Sequence, residues 1–158
     1  METSLHRAVR WALVVVSAFN ALSAIAGGIG ILATGGLGMP LSMLSNGPFS
    51  SFTGPGLILL IVIGGTQTVA AVLLLRRRPS ALAWAAVAGF GMVIWIFVET
   101  GIIAGMSWLQ ALYFATGVLQ LALVLALLGV VAWLPRQDVV ASRLNVNLPG
   151  DAASRPSA

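Results

Sequence analysis

Four long runs of apolar residues divide the chain, and shorter polar or glycine-rich stretches separate them. The runs cover residues 11–36, 57–75, 81–103 and 109–134. Each is close to the roughly 20 residues that a helix needs to cross a hydrocarbon core of about 30 Å. None alternates apolar and polar residues as a membrane barrel strand does. The pattern predicts an all-α protein: one four-transmembrane-helix bundle domain over residues 1–134, followed by a polar, disordered tail over residues 135–158.

Arginines lie at the ends of these runs and predict how the chain is threaded. They precede the first run, join the second to the third and follow the fourth: Arg7, Arg10, Arg76, Arg77, Arg78, Arg136 and Arg143. The other two connections, residues 37–56 and 104–108, carry no charge. Because cytoplasmic loops are enriched in Lys and Arg, we expect both termini to be cytoplasmic, in a multi-pass protein of the inner (plasma) membrane.

The start of the chain also permits a different interpretation. Arg7 and Arg10, an apolar stretch and then Ala24-Ile25-Ala26 have the order of a signal peptide with its cleavage site. The apolar run continues well past Ala26, as it does in a spanning helix. We therefore expect the first segment to be retained, and cleavage is the alternative.

Composition narrows the classes of function. Only 8% of the residues are charged, against roughly a quarter in a soluble domain, so the chain cannot cover a water-exposed surface with polar groups. The net charge of +4 comes from arginines that flank apolar runs, so we expect no nucleic-acid partner. There is no Cys, and His6 is the one His. We expect no metal, no cofactor and, without paired carboxylates or a nucleophile–base set, no enzymatic activity.

Glu99 is the one acidic residue within an apolar run. It lies near the outer end of the predicted third helix, on a face that also carries Trp95. Charged residues within spans usually face the bundle interior and often mark pathways. The favoured interpretation is structural: the carboxyl hydrogen-bonds the uncharged loop 37–56 to the helix ends. In the alternative, Glu99 forms a binding or proton site with Trp95, Trp108, Gln110 and Tyr113.

Three amides lie near the centres of their runs: Asn20, Gln67 and Gln120. They predict a midplane layer of hydrogen bonds between helices, which would fix register more than add stability, because intramembrane hydrogen bonds average about 0.6 kcal/mol. In the alternative, the layer continues a polar cavity inward from Glu99. Small residues recur at every fourth position, at Ala26, Gly30 and Thr34 and at Gly101 and Gly105. This spacing is typical of close helix packing, within the bundle or in a dimer.

Three blocks of the sequence resemble a widespread group of small four-helix bacterial membrane proteins. The blocks are "GPFSSFTGPGLILLIVIGG" (47–65), "WIFVE" (95–99) and "SWLQALYFATG" (107–117). The resemblance covers about two thirds of the chain, from the loop 37–56 through the fourth helix. It implies a bundle of four spans, and it attaches no activity, cofactor or catalytic residue to it.

These observations favour a non-catalytic accessory or scaffold bundle. Its expected partners are membrane lipids, with anionic headgroups at Arg76, Arg77 and Arg78, and another membrane protein or a second copy of the chain. The alternative is a protein that binds a small ligand or moves protons or ions through Glu99 and the midplane amides.

Overall fold

The computed structural model describes residues 4–103, 105 and 107–129. Within them the chain forms four long helices: α1 (Ser4–Thr34), α2 (Thr53–Leu75), α3 (Ala81–Ile103) and α4 (Trp108–Leu127). Each is long and apolar enough to cross a membrane. The prediction of an all-α fold with four helices of spanning length is confirmed. Residues 130–134 of the fourth predicted span, and the tail over residues 135–158, lie outside the described residues.

Helix α1 begins before the apolar run 11–36 that predicts it, and it ends at Thr34, two residues before that run ends. It ends because Gly35 and Gly36 have positive φ angles of 70° and 129°, which suit glycine. The Gly36 N–H donates to the Ile31 carbonyl, and the Thr34 hydroxyl accepts from the Leu37 N–H at 2.7 Å. These bonds satisfy the last turn of the helix.

Helix α2 contains a π-helical segment, Ile58–Ile63, between the α-helical segments Thr53–Leu57 and Gly64–Leu75. At its end the Gly64 N–H donates to the Leu59 carbonyl, five residues earlier. The Thr66 hydroxyl donates to the Val62 carbonyl at 2.7 Å, as threonines do where a transmembrane helix is irregular.

The other end of α2 is unusual because Arg77 occupies a left-handed conformation, with φ 54°. Its N–H donates to the Leu74 carbonyl, and the Arg78 N–H donates to the Leu73 carbonyl. This is the hydrogen-bond pattern of a Schellman motif, whose left-handed position usually holds glycine. A residue with a Cβ costs about 1–2 kcal/mol in this conformation.

The four helices form a ring in chain order. Helix α1 packs against α2 and α4, and α3 packs against the same two helices. The bundle has two ends. We call the end formed by residues 35–52 and the C-terminus of α3 the loop end, and the end formed by the N-terminus of α1 and the turn 76–80 the arginine end.

Glycines set the closest approaches between helices. A side chain on Gly28 of α1 would meet the Leu60 backbone at 2.9 Å, and one on Gly117 of α4 would meet Val93 at 3.0 Å. Near Gly101, by contrast, no described neighbour comes within 4 Å of where a side chain would begin. The small residues that bring α1 and α2 together therefore include Gly28, two residues beyond the Ala26 of the sequence motif.

At the loop end, residues 35–52 fold back onto the helices. The segment includes a short 3-10 helix, Leu41–Leu44, and buries Leu44 and Phe52 against Ile102 of α3. Gly36 and Gly47 permit this contact, because a side chain on either would clash with Phe52 or Ile102. The loop thus covers the end of the bundle in which Glu99 lies.

Candidate functional site

The interior of the bundle holds polar side chains at two depths. We call the deeper group the polar layer; it consists of Ser17, Asn20, Gln67, Thr116 and Gln120. The second place is a small cavity beside Glu99, one helical turn or more closer to the loop end, which we call the Glu99 cavity.

The polar layer joins three helices through Asn20 and Gln120, both of which are fully buried. Asn20 Nδ2 donates to Gln120 Oε1 at 3.3 Å, and Gln120 Nε2 donates to the Ala85 carbonyl of α3 at 2.9 Å. Thr116 Oγ1 lies 2.9 Å from both Asn20 Oδ1 and the Tyr113 carbonyl oxygen, so these two acceptors share its one hydroxyl hydrogen. The bonds run from α1 through α4 to the backbone of α3.

Gln67 is also part of the polar layer, but it bonds the backbone of α3 and not Asn20 or Gln120. Its Nε2 donates to the Ala88 carbonyl at 3.2 Å, which links α2 to α3. No described group hydrogen-bonds to Gln67 Oε1 or to the hydroxyl of Ser17, although both atoms are buried. Of the three predicted amides, the structure brings Asn20 and Gln120 into contact, while Gln67 bonds the α3 backbone separately, at Ala88 rather than at Ala85.

Small residues on α3 explain why these amides reach a backbone. Ala85 and Ala88 are fully buried and face the amide-bearing helices. Gly89 and Gly117 stand at the α3–α4 contact, where a side chain on Gly117 would lie 3.4 Å from the Gly89 carbonyl. A large side chain on α3 at this level would hold α4 too far away for the Gln120 bond.

The Glu99 cavity has a volume of about 40 Å³. Its walls come from α1, α2, α3 and the covering loop, and they are apolar apart from Glu99; they include Ile31, Leu44, Phe52, Leu59, Trp95 and Ile102. A water needs roughly 10–15 Å³ measured in this way, so the cavity has room for a few waters or one small ion. Among the residues that the structure describes, none hydrogen-bonds to the Glu99 carboxyl.

The predicted neighbours of Glu99 divide into two groups. Trp95 is buried and lines the same cavity. Trp108 is 77% exposed, and Tyr113 stacks on Phe19 of α1 with ring centroids 6.1 Å apart. Gln110 forms the capping box of α4: its Oε1 accepts from the Ser107 N–H at 2.7 Å, and its own N–H donates to Ser107 Oγ. These three side chains do not line the Glu99 cavity.

An apolar cluster separates the polar layer from the Glu99 cavity. It consists of buried side chains from α1, α2 and α3, namely Ala24, Ile63, Met92, Trp95 and Ile96, with Tyr113 of α4 packed against it. On α1, Ala24 lies one turn beyond Asn20, and on α3, Met92 and Trp95 precede Glu99. Helices α1, α2 and α3 therefore each contribute a buried apolar residue between the two polar regions, and α4 contributes the partly buried ring of Tyr113.

At the arginine end, Arg76, Arg77 and Arg78 are all exposed in the turn between α2 and α3. Arg77 lines a cleft of about 70 Å³ that Arg10 of α1 also lines. Over the described part of the chain, no three His, Cys, Asp or Glu side chains come together as metal ligands would.

Comparison with known proteins adds nothing to these observations, since no family model, curated protein or solved structure matches the chain. The number, length and apolar composition of the described helices are those of a multi-pass membrane protein.

Reasoning from the sequence did not include three features of these sites. The capping box has a readable signal, because Ser107 and Gln110 have the spacing S-x-x-Q ahead of an apolar run. The cleft lined by Arg10 and Arg77 could have been inferred from the sequence, by placing the start of the first helix beside the end of the second. The π-helical segment has no sequence signal that we can identify.

Proposed function

We propose that the chain is a multi-pass protein of the plasma membrane, with both termini and the Arg76–Arg78 turn in the cytoplasm. We further propose that its bundle is a non-catalytic accessory or scaffold, which works by packing against another membrane protein or a second copy. The distribution of arginines supports the orientation.

One observation carries the scaffold function: the apolar cluster around Met92 and Trp95 lies between the polar layer and the Glu99 cavity. A route for protons or ions requires polar groups or water across the whole membrane. Here the amides of Asn20 and Gln120 bond each other, and Gln120 and Gln67 donate to backbone carbonyls. Polar side chains used in this way hold helices together and leave little to bind a solute.

A second candidate function is the binding of a small cation at the Glu99 cavity. It is favoured by a carboxyl that faces a cavity of about 40 Å³ and that no described residue bonds. Charged residues inside spans are expensive, and they mark functional sites by default. In this candidate the covering loop, through Leu44 and Phe52, limits the size of what enters.

Purified protein in proteoliposomes separates the two candidates. Wild type and Glu99→Gln are compared for proton flux, with a pH-sensitive dye in the lumen, and for thermal unfolding with Na⁺, K⁺, Ca²⁺ or methylammonium at constant ionic strength. The scaffold function predicts the same background flux and the same melting temperature in both proteins. Flux or cation stabilisation that is present in wild type and lost in Glu99→Gln would overturn it and favour the second candidate.

A positive test of the scaffold function uses photo-crosslinking in native membranes. Phe97 on α3 and Leu22 on α1 are both strongly exposed, and they lie on different helices of the ring. A partner that packs against one face gives a discrete protein adduct from a crosslinker at one of these positions and not at the other. Lipid adducts alone from both positions would count against a packing partner on these faces.

A further inference from the structure

The turn after α2 places an arginine where this chain elsewhere uses glycine. Helix α1 is followed by Gly35 with φ 70°, and α4 by Gly129 with φ 71°. At the matching position of α2 stands Arg77, with φ 54°. Strained conformations of this kind persist where the surrounding structure fixes them, and they cluster at functional sites. The Arg77 side chain is therefore the feature that needs an explanation.

Arg77 shares a cleft with a second arginine from the neighbouring helix. The cleft, of about 70 Å³, lies between the start of α1 and the end of α2 and is lined by Arg10, Trp11, Val14, Leu74, Leu75 and Arg77. Guanidinium groups present planar forks of N–H donors that match the oxygens of a phosphate.

The remaining walls of the cleft are apolar and continue onto the outer surface of the bundle. Trp11 is 57% exposed and Leu75 is 54% exposed. Tryptophan beside arginine is typical of the membrane interface, where the indole lies at the depth of the lipid headgroups. A phosphate in the cleft therefore has apolar surface next to it on the membrane side, where acyl chains would lie.

We propose that this cleft binds the phosphate of an anionic phospholipid headgroup, held by Arg10 and Arg77, with the acyl chains against Trp11 and Leu75. The inference rests on the proposed membrane insertion, but not on whether the bundle is a scaffold or a cation binder. It assigns Arg77 a role that Arg76 and Arg78 do not share, because neither of them lines the cleft.

Thermal unfolding of the full chain in a neutral detergent tests the proposal. The probes are phosphatidylglycerol, phosphatidylcholine and inorganic phosphate, titrated over the same range. We expect phosphatidylglycerol alone to raise the melting temperature of wild type. If inorganic phosphate stabilised the protein equally, the cleft would bind a free anion and not a lipid. If phosphatidylcholine stabilised it equally, the negative charge of the headgroup would not matter, and the proposed site would be wrong.

Arg77→Gly is the decisive variant, since glycine suits the backbone conformation and the protein should fold at least as well without lipid. We expect its apparent affinity for phosphatidylglycerol to fall by at least about tenfold, because the variant loses a charge-assisted hydrogen bond to the phosphate as well as one positive charge. Arg10→Gln should give a similar loss. Arg78→Gln is the matched control, because it removes the same charge from the same turn but not from the cleft, and its affinity should fall by no more than about fivefold, the effect of one basic residue near an anionic surface. Equal losses in Arg77→Gly and Arg78→Gln would show general attraction to charge and overturn the site.

Discussion

The polar layer and the Glu99 cavity lie in the same bundle and differ in how their polar atoms are bonded. In the polar layer, Asn20 of α1 bonds both Thr116 and Gln120 of α4, and Gln120 also bonds the backbone of α3. In the Glu99 cavity, no described group bonds the carboxyl. The bonds of Asn20 and Gln120 recover what burial costs these amides, although the Ser17 hydroxyl and Gln67 Oε1 in the same layer have no described partner. The Glu99 carboxyl is left available to a molecule that enters the cavity.

The size of the surrounding side chains accounts for this difference. The polar layer faces Ala85 and Ala88, which leave the carbonyls of α3 within reach of an amide. Around Glu99 the cavity is lined by the large side chains of Trp95, Ile102 and Phe52, and no described backbone group bonds the carboxyl. In this bundle, small side chains surround the amides that bond between helices, and large side chains surround the cavity beside Glu99.

The largest effect should come from the contact that holds α1 against α2 beside both regions. Gly28→Leu would force the new side chain into the Leu60 backbone, which stands 2.9 Å from the position of its Cβ. Backbone cannot move aside as a flexible side chain does, so we expect a loss of about 3 kcal/mol in the free energy of unfolding, at the upper end of overpacking effects. Detergent-driven unfolding in mixed micelles, followed by circular dichroism, measures it.

Ala26→Leu is the control for this substitution. Ala26 lies on the same helix two residues away and is exposed, so a larger side chain there meets no helix of the bundle. Its free energy of unfolding should stay within about 0.5 kcal/mol of wild type, as for most surface substitutions. If Ala26→Leu were the more damaging of the two, the motif residue rather than Gly28 would form the contact.

A smaller effect is expected within the polar layer. Gln120→Leu removes the bond to the Ala85 carbonyl and leaves the buried Asn20 Nδ2 without its partner. Two lost intramembrane bonds at about 0.6 kcal/mol each, together with a penalty of about 1 kcal/mol for one unpaired amide hydrogen, give a loss of about 2 kcal/mol. The same unfolding measurement applies.

Gln67→Leu is the matched comparison, since it is the same substitution at the same depth. It removes one bond of 3.2 Å and also an oxygen that no described group satisfies. We therefore expect a change within about 0.5 kcal/mol, because the two effects oppose each other. Equal losses for Gln67→Leu and Gln120→Leu would show that all three amides act as one network.

The helices and the depth of the amides follow from the sequence because each depends on one segment at a time. An apolar run long enough to span a membrane must be helical, and counting residues along it places Asn20, Gln67 and Gln120 near one level. The bonding partners depend on how the helices are rotated and how far apart they lie, and one apolar run carries no information on either. Gln120 could therefore be placed at its depth, but its bond to the Ala85 carbonyl could not be predicted.

The expected neighbours of Glu99 show the same limit. Trp95 lies on the same helix one turn away, so helical periodicity is enough to place it beside the carboxyl. Gln110 and Trp108 lie on another helix, and their proximity in sequence to the loop end says nothing about the direction in which they face. Gln110 instead bonds the backbone of Ser107, a local contact that satisfies the helix terminus.

Glu99→Gln should have as small an effect on stability as the two control variants, and it tests the comparison most directly. The substitution keeps the shape of the side chain and breaks no bond to a described residue, so the loss seen for Gln120→Leu has no counterpart here. We expect the free energy of unfolding to stay within about 0.5 kcal/mol of wild type. A loss greater than about 1 kcal/mol would mean that the carboxyl is held as firmly as the amides of the polar layer. The cavity would then be a structural site, and the contrast between the two regions would fail.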